Sequence, residues 1–170
     1  EFDREWFELN FIDLIIKANQ GVNTTTEKVK YSENGIQVVR SNNIGNNTLD
    51  MSNVKYVTKD TYARINDNCK PQIGDILYCN IGSDLGSATL FNLKEEILIN
   101  WNVFRIRTNN EIINNSFLTQ YLNKIKYQIR KYATESTMPF ISSKAFKFIK
   151  FDIPQLPEQQ KIASFLTDVD

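Results

Sequence analysis

The chain contains no histidine among its 170 residues. Without an imidazole, the usual means of activating a serine or cysteine nucleophile at neutral pH is missing, so enzyme readings lose weight. The usual zinc ligand sets cannot be assembled either, because Cys69 and Cys79 are the only cysteines. Two cysteines are also too few for a disulfide framework, and two buried or idle thiols are expected. No apolar run approaches the roughly 18 residues of a membrane span. The amino-terminal EFDREWFELN is acidic and lacks the apolar core of a signal peptide, so the expected compartment is the cytoplasm, with no membrane partner. GxxxxGK[ST] is absent, and IGSDLGS has neither the spacing nor the following helix of a dinucleotide-binding loop, so Gly82 and Gly86 read as turn residues joining two strands. An initiating methionine is lacking too, which reads as a piece of a longer polypeptide.

What is present suits one globular core, with 41% apolar and 24% charged residues. FIDLIIKANQG reads as a short helix or strand closed by Gly21, and residues 22–34 as a polar loop. Strands are predicted at GIQVVR (35–40) and NVKYVT (53–58), and Thr58 is placed to cap a short helix KDTYARI. GDILYCNIG and SATLFN form a hairpin-like pair around SDLG, and EILINWNVFRIR (96–107) is the longest predicted strand. From Ser116 the period changes. Leu118, Leu122, Ile125, Ile129 and Tyr132 recur at helical intervals, predicting one helix over 116–132. After a loop, Ser142 or Ser143 is placed to cap a short helix, and FDI before Pro154 reads as a last strand. The fold class expected is α+β, a mainly antiparallel twisted sheet with packed helices. The 20 asparagines are scattered over strands and turns and read as compositional drift.

Charge is unevenly spread although the net charge is zero. Residues 117–150 hold seven basic side chains (Lys124, Lys126, Arg130, Lys131, Lys144, Lys147, Lys150) and one acid, Glu135. On the predicted helix Lys124, Tyr127 and Lys131 form one stripe, and Lys126 and Arg130 another, both off the apolar face. Such stripes suit either a solvated helix face or a surface that contacts phosphates. At the end of the chain Ile162, Phe165 and Val169 follow three- and four-residue intervals, the start of a coiled-coil seam on a helix whose first turn suits Pro157.

In order and spacing, GIQVVRSNNI, KYVTKDTY, IGDILYCNIGSDLGSATLF, INWNVFRIR, FLTQYLNKIKYQIRKYATESTMPFIS and above all IPQLPEQQKIASFLTDVD resemble a target recognition domain of the type I restriction-modification specificity subunits. The resemblance runs from about Trp6 to the end. Glu135 departs from it, standing where that family often has glycine. The resemblance implies a recognition domain over 1–154 and, over 155–170, the start of a spacer helix that holds a second recognition domain at a fixed distance. It implies recognition of one half of a bipartite double-stranded DNA target, without catalysis, alongside a methyltransferase subunit. No cofactor is expected in this chain; S-adenosylmethionine and ATP are expected on partner subunits.

Base reading needs paired donors and acceptors in the major groove, from arginine, asparagine, glutamine, serine or threonine. Candidates on predicted turns are Asn23, Thr24, Thr25 and Thr26, then Arg40, Ser41, Asn42 and Asn43, and Ser136 and Thr137. Lys124, Tyr127, Lys131 and Lys144 are candidates for backbone contact. Three rival readings stay open: the recognition domain of a single-chain restriction-methyltransferase, a metal-dependent nuclease using carboxylates such as Asp75 and Asp84, and a protein-only scaffold, favoured if no DNA affinity appears even at low salt.

Overall fold

The computed structural model describes residues 5–167. In chain order the elements are β1 (Phe7–Asn10), α1 (Phe11–Leu14), β2 (Ile15–Gln20), β3 (Ile36–Val39), β4 (Lys55–Val57), α2 (Lys59–Arg64), β5 (Ile76–Cys79), β6 (Ala88–Leu90), β7 (Ile97–Ile99), β8 (Val103–Thr108), α3 (Asn115–Lys124), α4 (Lys126–Ile129), α5 (Ser143–Lys147), β9 (Lys150–Ile153) and α6 (Leu156–Thr167). Short 3-10 turns cover Ser41–Asn43, Asp67–Cys69 and Arg130–Tyr132. The central sheet is antiparallel in the order β2-β8-β5-β6. A second sheet, β4-β3-β7, contains one parallel pair, β3 with β7, and β1 pairs with β9 antiparallel. The α+β expectation with a mainly antiparallel arrangement therefore holds.

The largest core lies on one face of the central sheet, where Ile76, Tyr78, Phe104 and Ile106 meet α3, α4, α5 and β9 through Leu118, Leu122, Ile129, Phe146 and Phe151. Phe146 sits at its centre, 4.4 Å from the Phe11 ring and 4.7 Å from Tyr78. The other face carries Leu77, Cys79 and Val103 against Val39, Ile97 and Ile99 of the second sheet. Strict alternation puts successive residues of β5 into different cores, so all four are buried and read as a continuous apolar run. Burial pushes both thiols up from their ordinary range. We expect neither Cys69 nor Cys79 to react with an aromatic disulfide reagent in the native protein, and both to react in urea; fast native labelling of either would contradict this packing.

Two long elements of the sequence reading break in the structure. The strand expected over 96–107 is two strands, β7 and β8, in different sheets. Between them Asn100 closes a turn, its carbonyl accepting from Val103 N at 2.9 Å and its Oδ1 from Asn102 N at 3.2 Å. Gly21 packs directly on the Asn100 carbonyl, where a Cβ would collide, so the turn and the end of β2 are locked together. The helix expected over 116–132 stops at Ile125, whose φ −95°, ψ 11° lie outside the helical well, and restarts as α4 and a 3-10 turn. The break shifts the phase of the apolar stripe. Leu118, Leu122 and Ile129 remain buried, Ile125 is half-buried, and Tyr132 falls outside the core.

Local caps follow the sequence. Thr58 Oγ1 accepts from Thr61 N at 3.2 Å and Ser142 Oγ from Ala145 N at 3.1 Å, each satisfying an orphan donor of a first turn. The last helix docks on its own domain. The Gln159 side chain, 1% exposed, accepts from Asn114 N at 2.8 Å and donates to Ile112 O and Pro154 O at 3.0 and 2.9 Å. Of the expected seam, Ile162 is half-buried against the core, Phe165 is 65% exposed, and Val169 lies outside the described residues. No helix among the described residues is long and apolar enough to cross a membrane.

Candidate nucleic-acid interface

Strand polarity gathers the polar loops. Antiparallel pairing puts the end of β2, the start of β8, the end of β5 and the start of β6 at one end of the central sheet. The end of β3 joins them, because it pairs in parallel with β7 and Asn100 N donates to Val39 O at 2.8 Å. The loops after Gly21, after Val39 and after Cys79 and the turn at Asn100–Asn102 thus form a single rim.

The segment from Lys124 to Phe140 reaches the same rim. Lys126 Nζ donates to Asn46 Oδ1 and Ser87 Oγ, each at 3.3 Å, and Arg130 Nη2 to Ser83 O at 2.6 Å. Gly86 has φ +96°, and a Cβ there would meet Lys126 Cβ at 2.8 Å, so hairpin loop and helix can approach only with glycine at this position. Asn123 caps the outer edge of β6, its amide accepting from Ala88 N at 2.8 Å and donating to Ala88 O at 2.9 Å and Asn47 Oδ1 at 2.8 Å. Gly82 N donates to Pro139 O at 2.9 Å, and Ile81 bridges Phe140, bringing the 133–140 loop alongside.

At the centre of the rim lies a reciprocal pair of amides. Gln20 Nε2 donates to Asn80 Oδ1 at 3.0 Å and also to Trp101 O, while Asn80 Nδ2 donates to Gln20 Oε1 and to Ile141 O, each at 3.3 Å. Asn80 is 1% exposed and ties β2, β5, the Trp101 turn and the end of the 133–140 loop to one another.

The candidates from sequence separate accordingly. Asn43 is buried, its Oδ1 accepting from Arg40 N at 3.0 Å and its Nδ2 donating to Asp50 O and Asn53 O at 3.1 and 3.4 Å, so it holds the loop instead of facing out. Arg40 is half-buried, with Nη2 on Asn53 O at 3.2 Å, and Ser41 is half-buried beside it, while Asn42 is exposed. Asn23 Oδ1 accepts from Thr25 N and Thr26 N, both at 3.1 Å, an Asx turn that fixes the loop; Thr24 is half-buried within it, and Thr25 and Thr26 stand outward. Ser136 Oγ donates to Met138 O at 2.8 Å, whereas Thr137 is exposed. Glu135 keeps a negative φ, so the backbone of this loop does not require glycine at that position.

Lys124, Lys131 and Lys144 are exposed and form no ion pair among the described residues, and Tyr127 is 72% exposed. The second stripe is different from expectation, because Lys126 and Arg130 are half-buried and tied to loops. Sequence reading overlooked Gln20, Asn80, Trp101 and Asn123. The triplet Asn100-Trp101-Asn102, two turn formers inside an apolar run, was the one available signal for the turn.

Of the carboxylates of the nuclease reading, Asp84 lies in the rim loop between β5 and β6, its Oδ2 accepting from Ser83 Oγ at 3.2 Å, and Asp75 is engaged elsewhere. Asp75 is buried at the opposite end of β5, accepting from Arg107 Nε at 2.8 Å and Nη2 at 2.9 Å. That hydrogen bond raises the Arg107 pKa, while burial lowers that of Arg105, whose Nε lies 3.8 Å from Asp75. No group of His, Cys, Asp or Glu among the described residues is arranged to hold a metal.

Polar loops gathered by paired strands, with unpaired lysines on helical segments, are the layout of a binding module. The chain belongs to the family of type I restriction modification DNA specificity domains, whose model matches residues 7–170. A type I restriction enzyme MjaX specificity subunit of Methanocaldococcus jannaschii is 26% identical over 179 residues, spanning 100% of this chain and 40% of that protein. The fold is similar to the type I restriction-modification S subunit of M. genitalium (TM-score 0.66, 15% identity, 96% of this chain and 38% of that one). It is also similar to the HsdS subunit of Thermoanaerobacter tengcongensis (TM-score 0.65, 16% identity, 99% and 38%). A chain from a study of complex assembly and conformational transition in a type I system gives a TM-score of 0.68 at 16% identity, over 99% of this chain and 39% of that one. The chain thus spans about 40% of the length of the curated relative.

Proposed function

We propose that this domain recognises one half of a bipartite double-stranded DNA sequence and directs a methyltransferase and restriction complex to it, in the cytoplasm, without catalytic chemistry of its own. What supports this reading is the convergence on one rim of loops from three separate strands with the segment 124–140, which is anchored there through Lys126 and Arg130 and carries the exposed Lys124 and Lys131. Exposed Thr25, Thr26, Asn42 and Thr137 offer donors and acceptors suited to base edges, and the lysines supply sequence-independent attraction to phosphates. A neutral net charge is compatible with this division, since residues 117–150 hold seven basic side chains against one acid. Residues 155–170 begin the spacer helix to a second recognition domain, with Phe165 on its open side. S-adenosylmethionine belongs to the methyltransferase subunit and ATP to a translocase subunit.

The test is salt dependence. Lys124→Ala and Lys131→Ala should each weaken binding to cognate and unrelated duplexes alike, and each should reduce the slope of log K against log salt by roughly 0.9. Titrations at several salt concentrations in which both variants keep the wild-type slope would remove this helix from the interface.

A further inference from the structure

Trp101 is a large apolar side chain standing 44% exposed in the middle of a polar rim. Its backbone is fixed from every side. Trp101 N donates to Val22 O at 2.9 Å, Trp101 O accepts from Gln20 Nε2, and the flanking Asn100 and Asn102 are bound within the turn and to Asn80 N, which donates to Asn102 O at 3.3 Å. These bonds fix the backbone that carries the indole at the rim. Leaving it in water forgoes burial of one of the largest apolar surfaces a side chain offers. Its position, between the Thr25–Thr26 loop and the Asn80 junction, is continuous with the proposed DNA-facing loops.

We propose that the Trp101 indole makes the apolar contact that reads a thymine methyl group in the recognised half-site. The inference rests on the DNA-recognition reading above and adds a specificity-determining residue to it. Two chemistries could place an aromatic against a duplex, insertion between base pairs and edge contact with the one apolar group the major groove displays, the thymine C5 methyl. The half-packed indole and immobilised turn favour the edge contact, because insertion demands a side chain that extends fully clear of its own domain. Burying a single methyl group supports roughly a four-fold preference.

The experiment uses the full-length specificity subunit assembled with its methyltransferase. Duplexes are first selected from a random library, and each thymine of the selected half-site is then replaced singly by uracil, which removes only the methyl. For the wild type, uracil at one position should weaken binding roughly four-fold. For Trp101→Ala, thymine and uracil at that position should bind equally. Trp101→Leu, which keeps an apolar side chain in the turn, should retain part of the methyl preference. The proposal is overturned if the selected half-site has no thymine, if the wild type accepts uracil throughout, or if Trp101→Ala keeps the full methyl dependence. Loss of assembly with the methyltransferase in Trp101→Ala would also overturn it and make the residue a protein contact. Failure of the wild type to enrich any sequence defeats the underlying DNA-recognition reading and is seen before a variant is made.

Discussion

Asp75→Ala should lower the unfolding free energy by about 3–5 kcal/mol, the largest effect expected of any single polar substitution in this domain. Asp75 is 2% exposed and faces two guanidinium groups. It also accepts from Gln72 N at 2.8 Å, closing the turn into β5. Arg105 is itself buried, anchors the Asp67–Cys69 turn by donating to Asp67 O and Lys70 O at 2.8 and 2.9 Å, and has no other carboxylate within ion-pair distance among the described residues. Removing the carboxylate leaves that cation uncompensated in a desolvated setting, which costs more than the pair contributes while intact. With a slope of roughly 2 kcal/mol per molar urea, the midpoint should fall by about 1.5–2.5 M. Asp75→Asn, which keeps an acceptor for Arg107 and Gln72 N, should lose less. A midpoint within error of wild type for the alanine variant would show that the ion pair carries no structural weight. Because Asp75 lies at the end of β5 away from the rim, the salt slope of DNA binding should be unchanged where the variant remains folded.

Asn80→Ala should act at the rim itself. The lost amide leaves Ile141 O without its side-chain donor and Gln20 without its partner, at a cost of about 1–3 kcal/mol in stability. The functional effect is larger than the stability effect suggests. Without the Asn80 amide, the 133–140 loop and the Trp101 turn are joined through residue 80 by backbone bonds alone, and base contacts worth about 1–3 kcal/mol each are less often made together. Discrimination between the selected half-site and unrelated DNA should fall by roughly 10- to 100-fold while low-salt affinity for unrelated DNA is retained. Amide exchange at Ile141, whose N–H donates to Asn80 O at 3.0 Å, should accelerate in the same variant. Retained discrimination with accelerated exchange would separate loop order from recognition; retention of both would show that the amide pair is not the lock.

Local readings transferred well where one short segment settles its own hydrogen bonds. The caps at Thr58 and Ser142, the hairpin of β5 and β6 around Ser83–Gly86, and the last strand before Pro154 are cases of this kind. The readings that failed were continuous runs interrupted by contacts from far along the chain. Asn100 turns because Val22 and Gly21 dock on it, and the helix breaks at Ile125 as Lys126 swings toward Asn46 and Ser87. The asparagines, which read in the sequence as compositional drift, include three of the main ties: Asn43 within its loop, Asn80 between strands, and Asn123 on the edge of β6. An amide carries no periodicity, so nothing in its neighbours' pattern reveals that it will be buried and paired.

By itself the sequence determined the α+β class, the cationic stretch 117–150 and the family, since period, charge and motif order are properties of adjacent residues. Which of those cations stand free, which polar side chains hold loops and which face outward, and that Trp101 is presented at all, were decided only when strand pairing brought distant segments to one rim. Hydrogen bonds between residues 60 or more positions apart, such as Gln20 to Asn80, exist only in the folded chain.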